Sequence, residues 1–268
     1  MPSVLTIAGS DSSAGAGIQA DLKTFAAMGV YGACAITAVT AQNTERVAEV
    51  FELPPGIVAA QIEAVVTDIR PDAVKTGMLS GAAIVEVVAA KVREHGLPNL
   101  VVDPVMVAKS GDRLLREDAV AALRELLLPL AAVVTPNLPE AEALTGRPVQ
   151  SDEDIRRAAE EIVRLGAPAV VVKGGHRQSA EAIDVLYDGK AFREYSAPWI
   201  ETASTHGTGC TFASAIAACL ARGMPLADAV AEAKAYLTEA LRRAYPIGGG
   251  HGPVNHFWRW WGREMEPK

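Results

Sequence analysis

The strongest constraint on this chain is a repeated alternation of short apolar runs with amphipathic helical segments. Val4–Ala8, Ala33–Thr40, Ala73–Lys75, Leu100–Val102, Ala132–Thr135 and Ala169–Lys173 each read as a strand, most of them apolar along their whole length. Helical faces stand between them. They are marked by Ile18, Leu22, Phe25 and Met28; by Val58, Ile62 and Val65 after Pro54-Pro55; by Ile84, Val87 and Val92 before Gly96; by the stretch Val120–Leu127; and by Ile155, Ile162 and Leu165. Strands of this kind joined by crossover helices imply an α/β chain with a central, mostly parallel sheet covered on both faces. Ala182–Leu186 and Phe192–Tyr195 flank Asp188-Gly189, which signals a hairpin. No internal repeat or linker breaks the pattern, so residues 1–268 read as one domain.

Composition narrows the function classes. Half of the 268 residues are hydrophobic, ample for a core without staples. The net charge of −7 and the lack of a basic run argue against nucleic acid. Three cysteines with no CxxC pair make a poor disulfide or zinc framework and fit a reducing, cytoplasmic setting. The start has no basic leader and no run is long enough to cross a bilayer, so no membrane role is expected. The tail Phe257-Trp258-Arg259-Trp260-Trp261 reads as packing on the body or at a subunit contact.

The chemistry concentrates in Thr205-His206-Gly207-Thr208-Gly209-Cys210-Thr211. This glycine turn feeds a helix marked by Phe212, Ile216, Cys219 and Leu220. The unpaired amides of a helix start, backed by the helix dipole, form an anion site. The same dipole favours thiolate at Cys210. A plain glycine turn with a buried structural thiol is the bland alternative. Other polar residues fall just past strand ends, where ligands bind in open α/β sheets: Asp11, Thr76, Asp103, Asn137 and Lys173. Lys173 ends an apolar strand, which is costly unless it meets an anion. Asp103, Asn137 and Glu140 offer hard oxygen donors for Mg²⁺. Glu140 equally suits a first-turn helix acid. His206 reads as a ligand, a base or a ring that holds the loop. Gly15-Ala16-Gly17-Ile18-Gln19-Ala20 matches GxGxxA only loosely, set off from the first strand and without an acidic residue ending the second.

Taken together, the motifs closely resemble one family. They are Ala8-Gly9-Ser10-Asp11, Gly15 to Lys23, Ala41-Gln42-Asn43-Thr44, Thr76-Gly77-Met78-Leu79, Thr135 to Glu140, Lys173-Gly174-Gly175-His176, Thr205–Cys210 and the tail Gly252 to Phe257. The family is the hydroxymethylpyrimidine/phosphomethylpyrimidine kinases of thiamine biosynthesis, the ThiD branch of the ribokinase superfamily. The resemblance implies a three-layer α/β/α sandwich, ATP and Mg²⁺. The implied reactions phosphorylate 4-amino-5-hydroxymethyl-2-methylpyrimidine and then its monophosphate. It implies that Gln42 binds the pyrimidine, that Met78 packs on the ring, and that Asp21, Gly9 and Val105 line the pocket. It gives Asp103 and Glu140 to the metal, and Lys173, Asn137, Thr205 and His206 to nucleotide and phosphate. Gly207, Thr208, Gly209 and Cys210 form the catalytic turn, with Cys210 where many relatives carry an aspartate base. Asn255 stands where a second histidine is expected, with no consequence attached.

Alternatives are a pyridoxal/pyridoxine kinase and a catalytically silent pyrimidine-binding module on the same fold. Gln42 with Met78 favours an aminopyrimidine, and Lys173, Glu140 and Cys210 argue against silence. Homodimer formation is left open. Within the loop Met106–Leu115, the polar stretch Lys109-Ser110-Gly111-Asp112-Arg113 is expected to be a flap over the substrate.

Overall fold

The computed structural model describes residues 1–106, 117–174 and 180–261. Lys109–Arg113, Gly175 and His176 lie outside them. A nine-stranded sheet runs in the order β3-β2-β1-β4-β5-β6-β7-β8-β9. Its parallel centre is β2 (Tyr31–Gln42), β1 (Ser3–Asp11), β4 (Ala73–Thr76), β5 (Leu100–Val102), β6 (Val133–Val134) and β7 (Val170–Val172). Antiparallel strands close both ends: β3 (Val47–Glu52) on β2, then β8 (Glu181–Tyr187) and β9 (Phe192–Pro198) after β7.

Neighbouring strand residues feed opposite cores, as the strand's period of two demands. Leu5, Val74, Leu100 and Val102 face α2 (Pro55–Val66), α3 (Ala82–His95), α5 (Leu138–Thr145) and α6 (Asp152–Arg164). Val4, Ala73, Val101 and Val133 face α1 (Gly17–Ala27), α7 (Thr208–Ala221) and α8 (Leu226–Arg242). The molecule is therefore the expected α/β/α sandwich. On the first face α4 (Glu117–Ala122) continues into a π turn at Leu123–Leu127. The tail packs on α8: Trp258 lies 6.2 Å from the Tyr236 ring, while Trp260 remains exposed. Asn255 donates to the Arg243 carbonyl and accepts from the Phe257 amide, which pins the tail's entry.

The largest differences from the sequence reading lie at β3 and at the end of β1. β3 was not anticipated: its residues are exposed or half-buried, so it lacks the inner face that periodicity detects. The first strand is expected to end at Ala8, yet β1 continues to Asp11 after a register shift between Ala8 and Ser10. The extension pairs Asp11 with Thr40 and carries Asp11 to the catalytic edge.

Behind that edge lies a sealed ion pair. Lys75 Nζ donates to both Asp21 oxygens at 3.0 and 2.9 Å, and both side chains are wholly buried. Thr6 Oγ1 and Ser214 Oγ complete the carboxylate's shell at 2.6 and 2.7 Å. Breaking a buried pair on one side leaves an uncompensated charge. Lys75→Met should therefore lower unfolding free energy by about 3–5 kcal/mol in a denaturant titration. Lys75→Met with Asp21→Asn should recover part of that loss.

Candidate active site

The turn before α7 is shaped by a close approach. Gly207 has φ 77°, and a Cβ there would run into the Gly15 carbonyl oxygen, so only glycine fits. No side chain caps α7. The Thr208 amide turns back to the Thr205 carbonyl at 3.4 Å, and the next amides, from Gly209 and Cys210, face the sheet edge with the dipole behind them. Lys173 Nζ and Asp103 Oδ2 lie 3.4 and 3.7 Å from where a Cβ on Gly209 would stand. Amides, ammonium and carboxylate thus converge at one point.

Lys173 Nζ donates to Asp103 Oδ1 at 2.8 Å and stands 3.8 Å from Glu140 Oε2. Burial works against its charge, but Asp103 and Glu140 outweigh it and hold its pKa above the usual lysine value. Asp103 Oδ2 is buried and has no partner among the described residues. Asn137 and Glu140 engage each other first. Asn137 Oδ1 accepts from the Glu140 amide, and Glu140 Oε2 accepts from the Asn137 amide, closing a capping box on α5. The helix-start reading of Glu140 therefore holds. Burial raises its carboxyl above the usual range, with Lys173 opposing.

The sequence expectation that the helix dipole lowers the Cys210 thiol does not hold. Burial pushes it up to about 11. Lys75 pulls the other way, Asp21 and Asp103 add to the rise, and the Gly17 amide donating to the sulphur lowers it. Desolvation wins because the half-buried sulphur has lost much of the water that would solvate a thiolate.

The other half of the edge forms an apolar slot. Met78 is buried beside Gly9, where any Cβ would strike its methyl group. Val105 follows Asp103 along the same rim, its amide bonded to the Asp103 carbonyl at 2.8 Å. Gln42, half-buried, ends β2 with its backbone held by Ser12: Ser12 Oγ donates to the Gln42 carbonyl, and the Gln42 amide donates back. Three of the assigned side chains have partners within the protein. Asp21 does not line the slot, because its oxygens are spent on Lys75, Thr6 and Ser214. His206 places Nε2 2.8 Å from Asp11 Oδ2. Thr205 Oγ1 stands 3.4 Å from His251 Nδ1.

The family model for phosphomethylpyrimidine kinase matches residues 11–255. The chain belongs to the phosphomethylpyrimidine kinase family. It is 56% identical over 260 residues to the hydroxymethylpyrimidine/phosphomethylpyrimidine kinase of Rhizobium meliloti, covering 96% of this chain and 97% of that one. It is 54% identical to the thiamine biosynthesis bifunctional protein ThiED of Geobacter sulfurreducens, covering 95% of this chain but only 52% of that longer protein. Among solved structures, an ADP complex of Bacillus subtilis pyridoxal kinase superposes with TM-score 0.90 at 42% identity, covering 96% of this chain and 97% of that one.

Some residues of this family member escaped the sequence reading. Lys75 did, although the argument applied to Lys173, a lysine in an apolar strand, applies to it equally. Asp11 was noted only as a strand-end polar residue. A cleft of about 380 Å³ between β9 and α8, lined by Tyr195, Ala197, Lys234, Thr238 and Arg242, left no signal at all. Lys234 Nζ donates to Asp184 Oδ2 at 2.8 Å, and Asp184 Oδ1 accepts from the Gly174 amide at 2.9 Å, next to Lys173.

The raised thiol is directly measurable. Alkylation of Cys210 by iodoacetamide, followed by peptide mass spectrometry, should be slow at pH 8 and climb about tenfold per pH unit toward pH 11. A plateau near pH 8.5 would mark an unperturbed thiol.

Proposed function

We propose that the protein transfers the γ-phosphoryl group of ATP to 4-amino-5-hydroxymethyl-2-methylpyrimidine and then to the monophosphate. The observation that carries this reading is the meeting of α7's leading amides, Lys173 and Asp103 beside the Gly9–Met78–Gln42 slot. Phosphoryl transfer asks for positioning and for charge placed where it develops. The slot holds the ring, and its hydroxymethyl group faces Cys210. The amides of Gly209 and Cys210 receive the transferred group, and Lys173 offsets its charge. The cleft between β9 and α8 suits the nucleoside.

The donor set fits Mg²⁺, since Asp103 Oδ2 is a buried hard oxygen with no partner among the described residues. Bound there, the ion would neutralise phosphate charge. Glu140 stands close by but is first a helix cap. The exposed Val39, Val50 and Phe51 on β2 and β3 suit a homodimer contact. The chemistry needs only soluble substrates, in keeping with a cytoplasmic enzyme.

Product analysis with pure protein, Mg-ATP and the pyrimidine should show both phosphate esters in turn; the absence of both would sink the reading. Gln42→Leu should raise the pyrimidine KM by roughly 5- to 150-fold, the loss of about 1–3 kcal/mol, with the ATP KM unchanged.

Cys210 is proposed as the base that takes the hydroxymethyl proton. Cys210→Ala should then lower kcat by about 10²–10⁴-fold. With a thiol near 11, kcat/KM for the acceptor should also rise with pH through the neutral range. The raised thiol also favours a second reading, in which Cys210 stays neutral and the amides and Lys173 carry the transfer. A flat pH profile with a near-parental alanine variant would select it.

A further inference from the structure

Asp11 is the hub of the loop after β1. Its carboxylate accepts from the amides of Ser13, Gly15 and Ala16, from Ser13 Oγ, and faces His206 Nε2 at 2.8 Å. A carboxylate can only accept, so His206 Nε2 must carry a proton and donate it. Burial disfavours the charge, yet the bonds from His206, Ser13 and Ala16 outweigh it and bring the Asp11 pKa down to about 2.

Gln42 Nε2 stands 3.4 Å from the same imidazole nitrogen, and Gln42 Oε1 stands 3.1 Å from Thr40 Oγ1. In that sense two N–H groups face each other. Thr40 also meets the Ser10 carbonyl at 3.1 Å, so its single hydroxyl proton is asked for twice. Turning the amide over removes both conflicts, since its oxygen and nitrogen have the same shape. Thr40 then donates to Ser10, Gln42 Nε2 donates to Thr40 Oγ1, and the His206 N–H is shared between Asp11 and Gln42 Oε1. The ring of His206 is held in place, because a Cβ on Gly15 would collide with it.

We propose that Asp11, acting through His206, fixes the sense of the Gln42 amide and so sets the order of donor and acceptor shown to the heteroaromatic ring. Asp11 and His206 are positioning residues; Gln42 makes the contact. The proposal rests on Gln42 reading the ring, and it makes the site selective for one order of ring donor and acceptor. A 4-amino ring offers a donor beside a ring-nitrogen acceptor. The 4-oxo analogue of the same hydroxymethylpyrimidine reverses the pair, with a carbonyl acceptor beside a ring N–H. A fixed amide meets the reversed pair donor to donor, and mispaired buried polar groups discriminate strongly.

The test measures binding of both rings by calorimetry, with turnover alongside, for the parent, His206→Leu and His206→Gln. The parent should prefer the 4-amino ring. His206→Leu frees the amide, and that preference should fall at least tenfold, with the ATP KM unchanged. His206→Gln restores an N–H at the place of Nε2 and should recover the preference. A purely structural role for His206 weakens both rings alike and leaves the ratio where it was. An unchanged ratio in the leucine variant, or a parent without preference, overturns the inference. A parent that binds the 4-amino ring selectively but forms no phosphate ester supports the inference and overturns the kinase reading instead.

Discussion

The structure depends on the sealed contact between Lys75 and Asp21. A charge pair with no access to water is tolerable only when each partner holds the other and the spare lone pairs are filled. Thr6 and Ser214 fill them, so the contact ties β1, β4, α1 and α7 at one point. Those elements carry Gly9 and Cys210, and Met78 follows the end of β4. The site therefore stands on a knot that cannot loosen locally without exposing a bare charge to an apolar core. Lys75 also faces Cys210 electrostatically, so the same knot sets the field at the thiol.

Above this knot, the edge divides its work by chemistry. Backbone amides, an ammonium group and carboxylates gather on the side of β5, β6 and β7, where charge is to be handled. A sulphur-bearing wall and one amide side chain gather on the side of β1, β2 and β4, where an apolar ring is to be held. The turn at Gly207 lies between them and touches both, since its neighbour His206 reaches back to Asp11.

Much of this was legible in the sequence. Fully buried strands repeat their apolar runs, so Leu100–Val102 and the core of β7 could be placed closely. The glycine turn announced α7's exposed amides, and Lys173 betrayed itself as a charge ending an apolar strand. What escaped had no periodic or compositional trace. β3 is an edge strand without an inner face. The inward turn of Asp21 depends on partners on other elements, Lys75 54 residues away and Ser214 193 residues away. The rise of the Cys210 thiol depends on enclosure, which only assembled elements create. The motifs told which residues gather at the edge but not which of them spend their hydrogen bonds on one another.

The relay from Lys234 through Asp184 to the Gly174 amide has a thermodynamic consequence. It joins the wall of the β9–α8 cleft to the peptide beside Lys173. An occupant that draws the Lys234 ammonium toward itself weakens its hold on Asp184, and so changes how firmly Gly174 is held. Anything that fixes Lys173 acts back on the cleft to the same degree, because such linkage is reciprocal. The wall of the cleft and the strand end that carries Lys173 are fastened to each other by a single lysine–aspartate–amide chain.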